Sequence, residues 1–406
     1  SLIRPGPIQG NMVHPYLRRR QGIEPVTYPH PSLEPALKET LGVILFQEQV
    51  LKVARDMAGF TPGQGELLRR ALGAKQATDQ LEKFRAAFLA GAAANGVAAD
   101  VAEAVFRQLL VFGGNPSAKS HASAFAVLVY QSGWLKLYHP RAFYVALLNN
   151  QPMGFWNAAV LTNELRRQGI PVLPVDIHLS RSKCSIEATG IRLGLNYVKR
   201  MAETHIDAIL PARAGGPFPS LDNFCRRTRI GRNRVETLIL SGAMDTWGVP
   251  RRQLLWELGT LSLQEDALDL VIDPTPVPLP PLSSIDAMLA EQTALGLSPG
   301  DHMMTHHRAE LQQRHILGSS DLASCPNGAS VRVAGLLVVH QSPPTAKGFH
   351  FLTLEDEDGM INVIVRPPVY SEYRHIIHSQ LFLLAEGRIQ REGHVVNILA
   401  EWIHWL

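Results

Sequence analysis

Two clusters of cationic and hydroxyl donors stand out for the chemistry their types and spacing allow. Arg69 and Arg70 follow a Gly/Pro-rich loop in LGVILFQEQVLKVARDMAGFTPGQGELLRRALG, residues 41–73. Lys119, Ser120 and His121 precede a long apolar run in KSHASAFAVLVYQSGWLKLYHP, residues 119–140. Guanidinium forks match phosphate oxygens bidentately and stay charged at any working pH. A helix N-terminus adds free N–H groups and the positive end of its dipole. Both clusters therefore suit a polyphosphate or a nucleic-acid backbone. The plain alternatives are solvated arginines on a helix face and a helix cap beside an exposed lysine.

Further basic features follow the same logic. Arg4 lies in the rigid turn RPGP, which reads either as a structural turn or as a ligand contact. The segment GIRLGLNYVKRMAETHIDAIL, residues 190–210, resembles a helix-hairpin-helix, a motif that binds DNA phosphates through backbone N–H groups. Its signal is a central glycine in a V-K-G pattern. Here the pattern reads Val198–Lys199–Arg200, which loses the glycine and adds a cation. Arg226, Arg227, Arg229, Arg232 and Arg234 then crowd together, as a phosphate-binding face or as a solvated basic one.

These residues need a globular frame, and composition supplies one. The chain has 406 residues, 46% hydrophobic and 18% charged, which fits several folded domains. No apolar run reaches the roughly 18–20 residues that span a bilayer, and the N-terminal residues do not read as a signal peptide. Cys184, Cys225 and Cys325 are odd in number and far apart. That argues for a reducing cytoplasm and against a disulfide framework or a CxxC metal site. The net charge of +3 hides an asymmetry. Residues 1–252 hold 31 Lys/Arg against 18 Asp/Glu, a balance of +13, and residues 253–406 hold 8 against 18, or −10. A basic body with an acidic tail region suits a protein that grips nucleic acid with one part, although charge also varies between domains without such a cause.

The expected organisation is multidomain α+β. Residues 1–150 form a mostly helical domain, with apolar residues at three- and four-residue spacing and stops at Gly59, Gly73, Gly96 and Gly113. Ser117–His139 is one helix, capped by serines and ended before Pro140. Residues 151–272 hold a helix, a short strand, a hairpin and small helices, ending in a helix over 251–272. Residues 273–329 hold a proline-rich linker, DPTPVPLPPL, and a helical stretch from Ile285 to Arg314. From Ser330 the period switches to two. Four or five strands with one helix among them resemble an OB-fold β-barrel over 330–406. Phe349, Phe351 or His350 there could stack on single-stranded bases. The barrel carries a net −2 and an acidic turn at Glu355–Asp358, which weakens that expectation.

In order and content these blocks resemble the bacterial C-family DNA polymerases, the polymerase III alpha-subunit family. The resemblance rests on SLIRPGP, LLRRALG and the K-S-H segment, and covers essentially the whole chain. It implies helical fingers that hold an incoming deoxynucleoside triphosphate through Arg69, Arg70, Lys119, Ser120, His121 and Arg4. It also implies DNA contacts from Lys199, Arg200, the five clustered arginines, Phe349 and Phe351. The loop FGGNPSAKSH departs from the family's more usual FxxFGFxxSH. NNQPMGFW at 149–156 points to the error-prone branch, and so to DNA repair and damage-induced translesion synthesis.

The family's catalysis uses paired Mg²⁺ held by three palm aspartates. Those lie ahead of the segment matching Ser1–Pro7, so this stretch should hold no catalytic residue and bind no metal alone. Its D-x-D is confined to the Glu355–Asp358 turn. His302, His306 and His307 look metal-like but lack an H-E-x-x-H form. EQTALGL, residues 291–297, has the spacing of a sliding-clamp ligand but reads as an ordinary helix. Two functional readings stay open: part of an error-prone polymerase, with catalysis resting on a palm in another chain, or a non-catalytic DNA-binding protein derived from one. The expected partners are primer–template DNA, deoxynucleoside triphosphate and other translesion proteins, with no clamp and no membrane.

Overall fold

A computed structural model describes residues 13–73, 78–113, 118–261 and 279–406. Arg4 and its RPGP turn, the serine cap at Ser117 and most of the proline-rich linker lie outside those residues. The chain divides into two compact units, Ser1–Gly133 and Trp134–Leu406.

The first unit is helical. Helices α1 (Val13–Arg20), α2 (Glu34–Leu37), α3 (Gln47–Ala58), α4 (Pro62–Gly73), α5 (Thr78–Ala94) and α6 (Ala99–Gly113) precede α7 (Lys119–Tyr138), inside which the division falls. Val50, Val53 and Met57 line one face of α3 at helical spacing and are fully buried with Leu68, Phe88, Phe106 and Leu109. The Phe88 ring packs against Phe60 and Phe106, at centroid distances of 6.1 and 5.4 Å. A side chain at Gly91 would put its Cβ 2.0 Å from the Ala58 carbonyl oxygen, so glycine there lets α5 lie close against the end of α3. Gly59 and Gly96 stop their helices with φ of +68° and +75°. Helix α7 buries none of its 20 residues.

The second unit opens with α8 (Pro140–Asn149) and α9 (Ala158–Arg167). A small sheet follows, in which β1 (Val172–Leu173) pairs parallel and β2 (Ser185–Ile186) antiparallel with β3 (Ile191–Arg192). Helices α10 (Glu203–Ala214), α11 (Leu221–Thr228), α12 (Arg232–Leu240), α13 (Arg251–Thr260) and α14 (Ser284–Leu295) share one core with that sheet, built on Ile177, Leu193, Ile209, Phe224, Leu238 and Leu297. The helical stretch expected from Ile285 to Arg314 is interrupted. Gly296, at φ +80°, caps α14, and α-helix resumes only in α15 (Arg308–Gln313).

The barrel closes in the order β4–β5–β6–β8–β7, with β7 returning to β4. Its elements are β4 (Ser330–Gln341), β5 (His350–Glu355), β6 (Met360–Val365), α16 (Pro367–Ser379), β7 (Phe382–Glu392) and β8 (Val395–Trp405). Inward residues such as Val333, Leu354, Val363, Ile398 and Ile403 are fully buried. Pairing is antiparallel except for β6 with β8, which runs parallel through Val363 and Ile398. Helix α16 sits between the third and fourth strands, so the sequence-level OB-fold reading holds.

Candidate functional site

In the first unit each of the two donor clusters is held by acidic residues. Arg69 grips Glu66 through Nε and Nη2 at 2.8 and 2.7 Å, and the Arg70 Nε reaches the same carboxylate at 2.9 Å. The paired guanidinium groups hold the Glu66 carboxyl down to about 2. In turn Glu66, with a smaller contribution from Glu48, raises the pKa of Arg69. Glu48 also accepts the Lys119 backbone N–H at 3.1 Å on each carboxylate oxygen, which caps α7. The Lys119 ammonium pairs with Glu39. An open cavity of about 400 Å³ lies here, lined by Glu39, Phe46, Glu48, Lys52, Lys119 and Ser120, among others. Ser120 and His121 are exposed on the first turn of α7, with the His121 ring 4.6 Å from Phe125. Glu39 and Glu48 were missed from sequence, because nothing local marks a carboxylate that meets a lysine so far along the chain.

In the second unit Arg200 explains how the hairpin forms without its glycine. It takes φ +66° itself, the left-handed turn that a glycine would occupy. Lys199 donates its backbone N–H to Ala294 at 2.8 Å. EQTALGL therefore backs the hairpin, with Leu295 and Leu297 buried in the core. The arginine cluster is divided in its engagements. Arg227 reaches the carbonyls of Pro217 and Gly216 at 3.1 and 2.9 Å and lies 4.5 Å over the Phe218 ring. Arg232 caps the end of α13 through the Gly259 and Leu261 carbonyls, at 3.1 and 2.7 Å. Arg234 buries its Nε. Arg226 pairs with Asp222 at 2.8 Å, and Arg229 ends α11 at φ +52°.

On the barrel, His350 stacks on Tyr370 with ring centroids 3.4 Å apart. Its Nδ1 also stands 2.9 Å from the His340 Nε2. Phe349 is half-buried and Phe351 exposed. The acidic turn is a clasp rather than an open loop. Glu355 is fully buried, accepting from Asn163 at 2.8 Å and Arg167 at 3.0 Å. Asp356, also fully buried, accepts from the Ser319 backbone N–H and hydroxyl, from Arg308, and from the backbone of Asp358 and Gly359. Asp358 accepts from the Ser320 hydroxyl at 2.8 Å.

The carboxylates that remain are structural too. Asp176 caps a turn by accepting from the His178 and Leu179 N–H groups, and Asp245 pairs with Arg251 at 2.6 Å. His302 is buried, its Nδ1 accepting from Met304 and its Nε2 lying 3.8 Å from Glu355. Among the described residues no group of three His, Cys, Asp or Glu could hold a metal ion. Burial pushes the Cys184 and Cys225 thiols up to about 11 and about 12, which disfavours the nucleophilic thiolate at neutral pH. Also among the described residues, no helix is long and apolar enough to cross a membrane.

Comparison with known proteins adds to this geometry. Residues 1–96 match the family described as bacterial DNA polymerase III alpha subunit finger domain, and residues 169–254 match a helix-hairpin-helix motif. Nearly the whole chain is similar to proteins named error-prone DNA polymerase. One from Anaeromyxobacter dehalogenans (strain 2CP-C) is 42% identical over 414 residues, covering 98% of this chain and 36% of the relative. One from Mycobacterium tuberculosis (strain ATCC 25618 / H37Rv) is 39% identical over 407 residues, covering 99% and 37%. One from Alkalilimnicola ehrlichii is 40% identical over 416 residues, covering 100% and 41%. The chain thus spans about two fifths of the length of these relatives, in their C-terminal part.

Proposed function

Because the chain belongs to the bacterial polymerase III alpha-subunit family, among its error-prone DNA polymerases, we propose that it supplies the nucleotide-gripping and DNA-binding parts of such a polymerase. The observation that carries this reading is the open cavity at the start of α7, lined by Lys52, Lys119, Ser120 and Ser123, where the Lys119 backbone N–H already holds the Glu48 carboxylate. Ammonium and hydroxyl donors there suit a deoxynucleoside triphosphate, with Ser120 and His121 on the first turn of α7. By family resemblance Arg69, Arg70 and Arg4 are the further cations that would hold it. The hairpin at Lys199–Arg200 and the exposed arginines would track primer–template phosphates. Phe349 and Phe351 remain candidates for contacts to unpaired template. The role follows the family: DNA repair and translesion synthesis, in the cytoplasm.

Mg²⁺, which this chemistry requires, does not fit the carboxylates of the described residues. Asp356 and Asp358 are held by serines, an arginine and backbone N–H groups, and Asp176 and Asp245 have structural partners. No step is therefore assigned to a metal here. The 406 residues by themselves are expected to bind DNA and nucleotide without extending a primer, and the palm aspartates of the family would complete the reaction. The engaged D-x-D equally favours a second reading, a non-catalytic DNA-binding protein. The two separate when a palm-bearing polypeptide of the same family is added.

Primer extension with Mg²⁺ and all four deoxynucleotides, beside a binding titration over a salt series, tests this. The expected result is salt-dependent binding without extension. Robust extension by these residues alone would overturn the assignment of catalysis to palm aspartates outside them. Absence of any DNA or nucleotide binding would overturn the reading as a whole.

A further inference from the structure

The outer face of β8 carries an aromatic arrangement that the expected contacts do not include. Trp402 and His404 are two positions apart on the strand and point outward, flanking the buried Ile403. Their rings are parallel to within 4°, with centroids 6.4 Å apart. Tyr373, on α16, is 6.2 Å from both and tilted by 51° and 52° to them. Tyr373 is buried, whereas Trp402 is 51% exposed and His404 is exposed as well. The result is a slot with two aromatic walls and an aromatic floor.

Successive bases along a nucleic-acid strand are about 3.4 Å apart, so one base held between two rings needs about 6.8 Å. The two ring centroids stand within about half an ångström of that separation. A flat ring fits such a slot, and a bulky aliphatic side chain is too thick for it. Glu386 lies directly across from Trp402 on β7. A carboxylate at that edge disfavours a phosphate and suits the exocyclic amine of a base such as cytosine. By contrast His350, one of the three residues named from sequence for stacking, already has its ring against Tyr370.

Resting on the DNA-binding reading above, we propose that Trp402 and His404 form a slot for one unpaired nucleobase of single-stranded DNA, with Tyr373 as its floor. Stacking is sequence-tolerant, so the slot would hold a strand through a base while the arginines elsewhere hold phosphates.

The test uses the full chain and four probes: an oligo(dC) strand, an abasic strand of equal length, a duplex, and free deoxycytidine. Trp402 emission is isolated by difference from Trp402→Phe, which keeps an aromatic wall. The expected result is Trp402 quenching by oligo(dC) and none by the abasic strand. Trp402→Ala and His404→Ala should each weaken oligo(dC) binding about five- to a hundredfold, leaving abasic-strand and duplex affinity unchanged. Trp402→Phe should retain most of the affinity. Unchanged oligo(dC) affinity in both alanine variants, with duplex binding intact, would overturn the slot alone. Equal losses on the abasic strand would do the same, as would quenching by free deoxycytidine as strong as that by the strand. Failure to bind any DNA would overturn both the slot and the reading on which it rests.

Discussion

Glu48 and Lys119 meet where α7 begins, both carboxylate oxygens of the one lying 3.1 Å from the backbone nitrogen of the other. The end of α7 that suits an anion thus already holds one from its own chain, beside the cavity proposed for the triphosphate. A nucleotide arriving there competes with that carboxylate.

Glu48→Gln keeps an acceptor for the cap but removes its charge. At this partly exposed site one charge contributes on the order of 1 kcal/mol. The variant should therefore bind deoxynucleoside triphosphate about fivefold more tightly in an equilibrium titration. Tighter binding in wild type than in the variant would argue that Glu48 helps to hold the ligand instead.

Arg69→Ala combined with Arg70→Ala should weaken nucleotide binding and release Glu66. Its carboxyl is held down to about 2 in the folded chain against an ordinary 4.5. A lowered carboxyl pKa stabilises the fold above the ordinary value, and that contribution is lost as pH falls from about 4.5 through about 2. Carboxyl-carbon NMR should show Glu66 titrating near 4.5 in the double variant. A midpoint that stays near 2 would mean that another group lowers it.

Glu355→Ala should destabilise the second unit by about 3 kcal/mol, since it leaves the Arg167 cation without its buried partner. Glu355→Gln, which retains an acceptor for Asn163, should cost less. Denaturant melts of both variants check the order, and equal stabilities would remove the clasp from the account.

Arg200→Gly should move stability and binding in opposite directions. Glycine relieves the left-handed strain at φ +66°, stabilising the fold by up to about 1 kcal/mol. Loss of the cation should lower DNA affinity and reduce the salt slope by about one. A variant that gains stability with an unchanged slope would make Arg200 a plain turn residue.

Acid should loosen the barrel. Burial lowers the pKa of both His340 and His350, with His350 and His378 lowering that of His340 further and His378 that of His350. His378 also holds the Tyr370 hydroxyl at 2.8 Å, and no carboxylate is among the groups that shift either histidine. The unfolded chain then binds more protons, so stability declines as pH falls from about 6.5 and is flat above that value. His350→Phe keeps a ring on Tyr370 and should flatten a pH series of denaturant melts. An unaltered slope would place the effect elsewhere.

Much of this was legible in sequence because it is local. Apolar spacing located the helices, the switch of period located the barrel, and Val198–Lys199–Arg200 marked the hairpin despite its missing glycine. What sequence hid was non-local. Glu48 meets Lys119 only after several helices have packed. The arginines of 226–234 read as one basic face, yet Arg227 and Arg232 stitch carbonyls, while Arg226 pairs with an aspartate. Nothing in the acidic turn at Glu355–Asp358 marked its burial, because its partners, Arg167 and Arg308, lie far away in the chain.

The parallel pairing of β6 with β8 has a kinetic consequence. Val363 and Ile398 come together only across an intervening helix and strand, and such long-range closure is slow compared with helix formation. The barrel should therefore be the last part of its unit to mature. Until it does, the strand that carries Trp402 and His404 has an unpaired edge, open to another chain. Co-expressed chaperones would be expected to improve the yield of this region more than that of the helical unit.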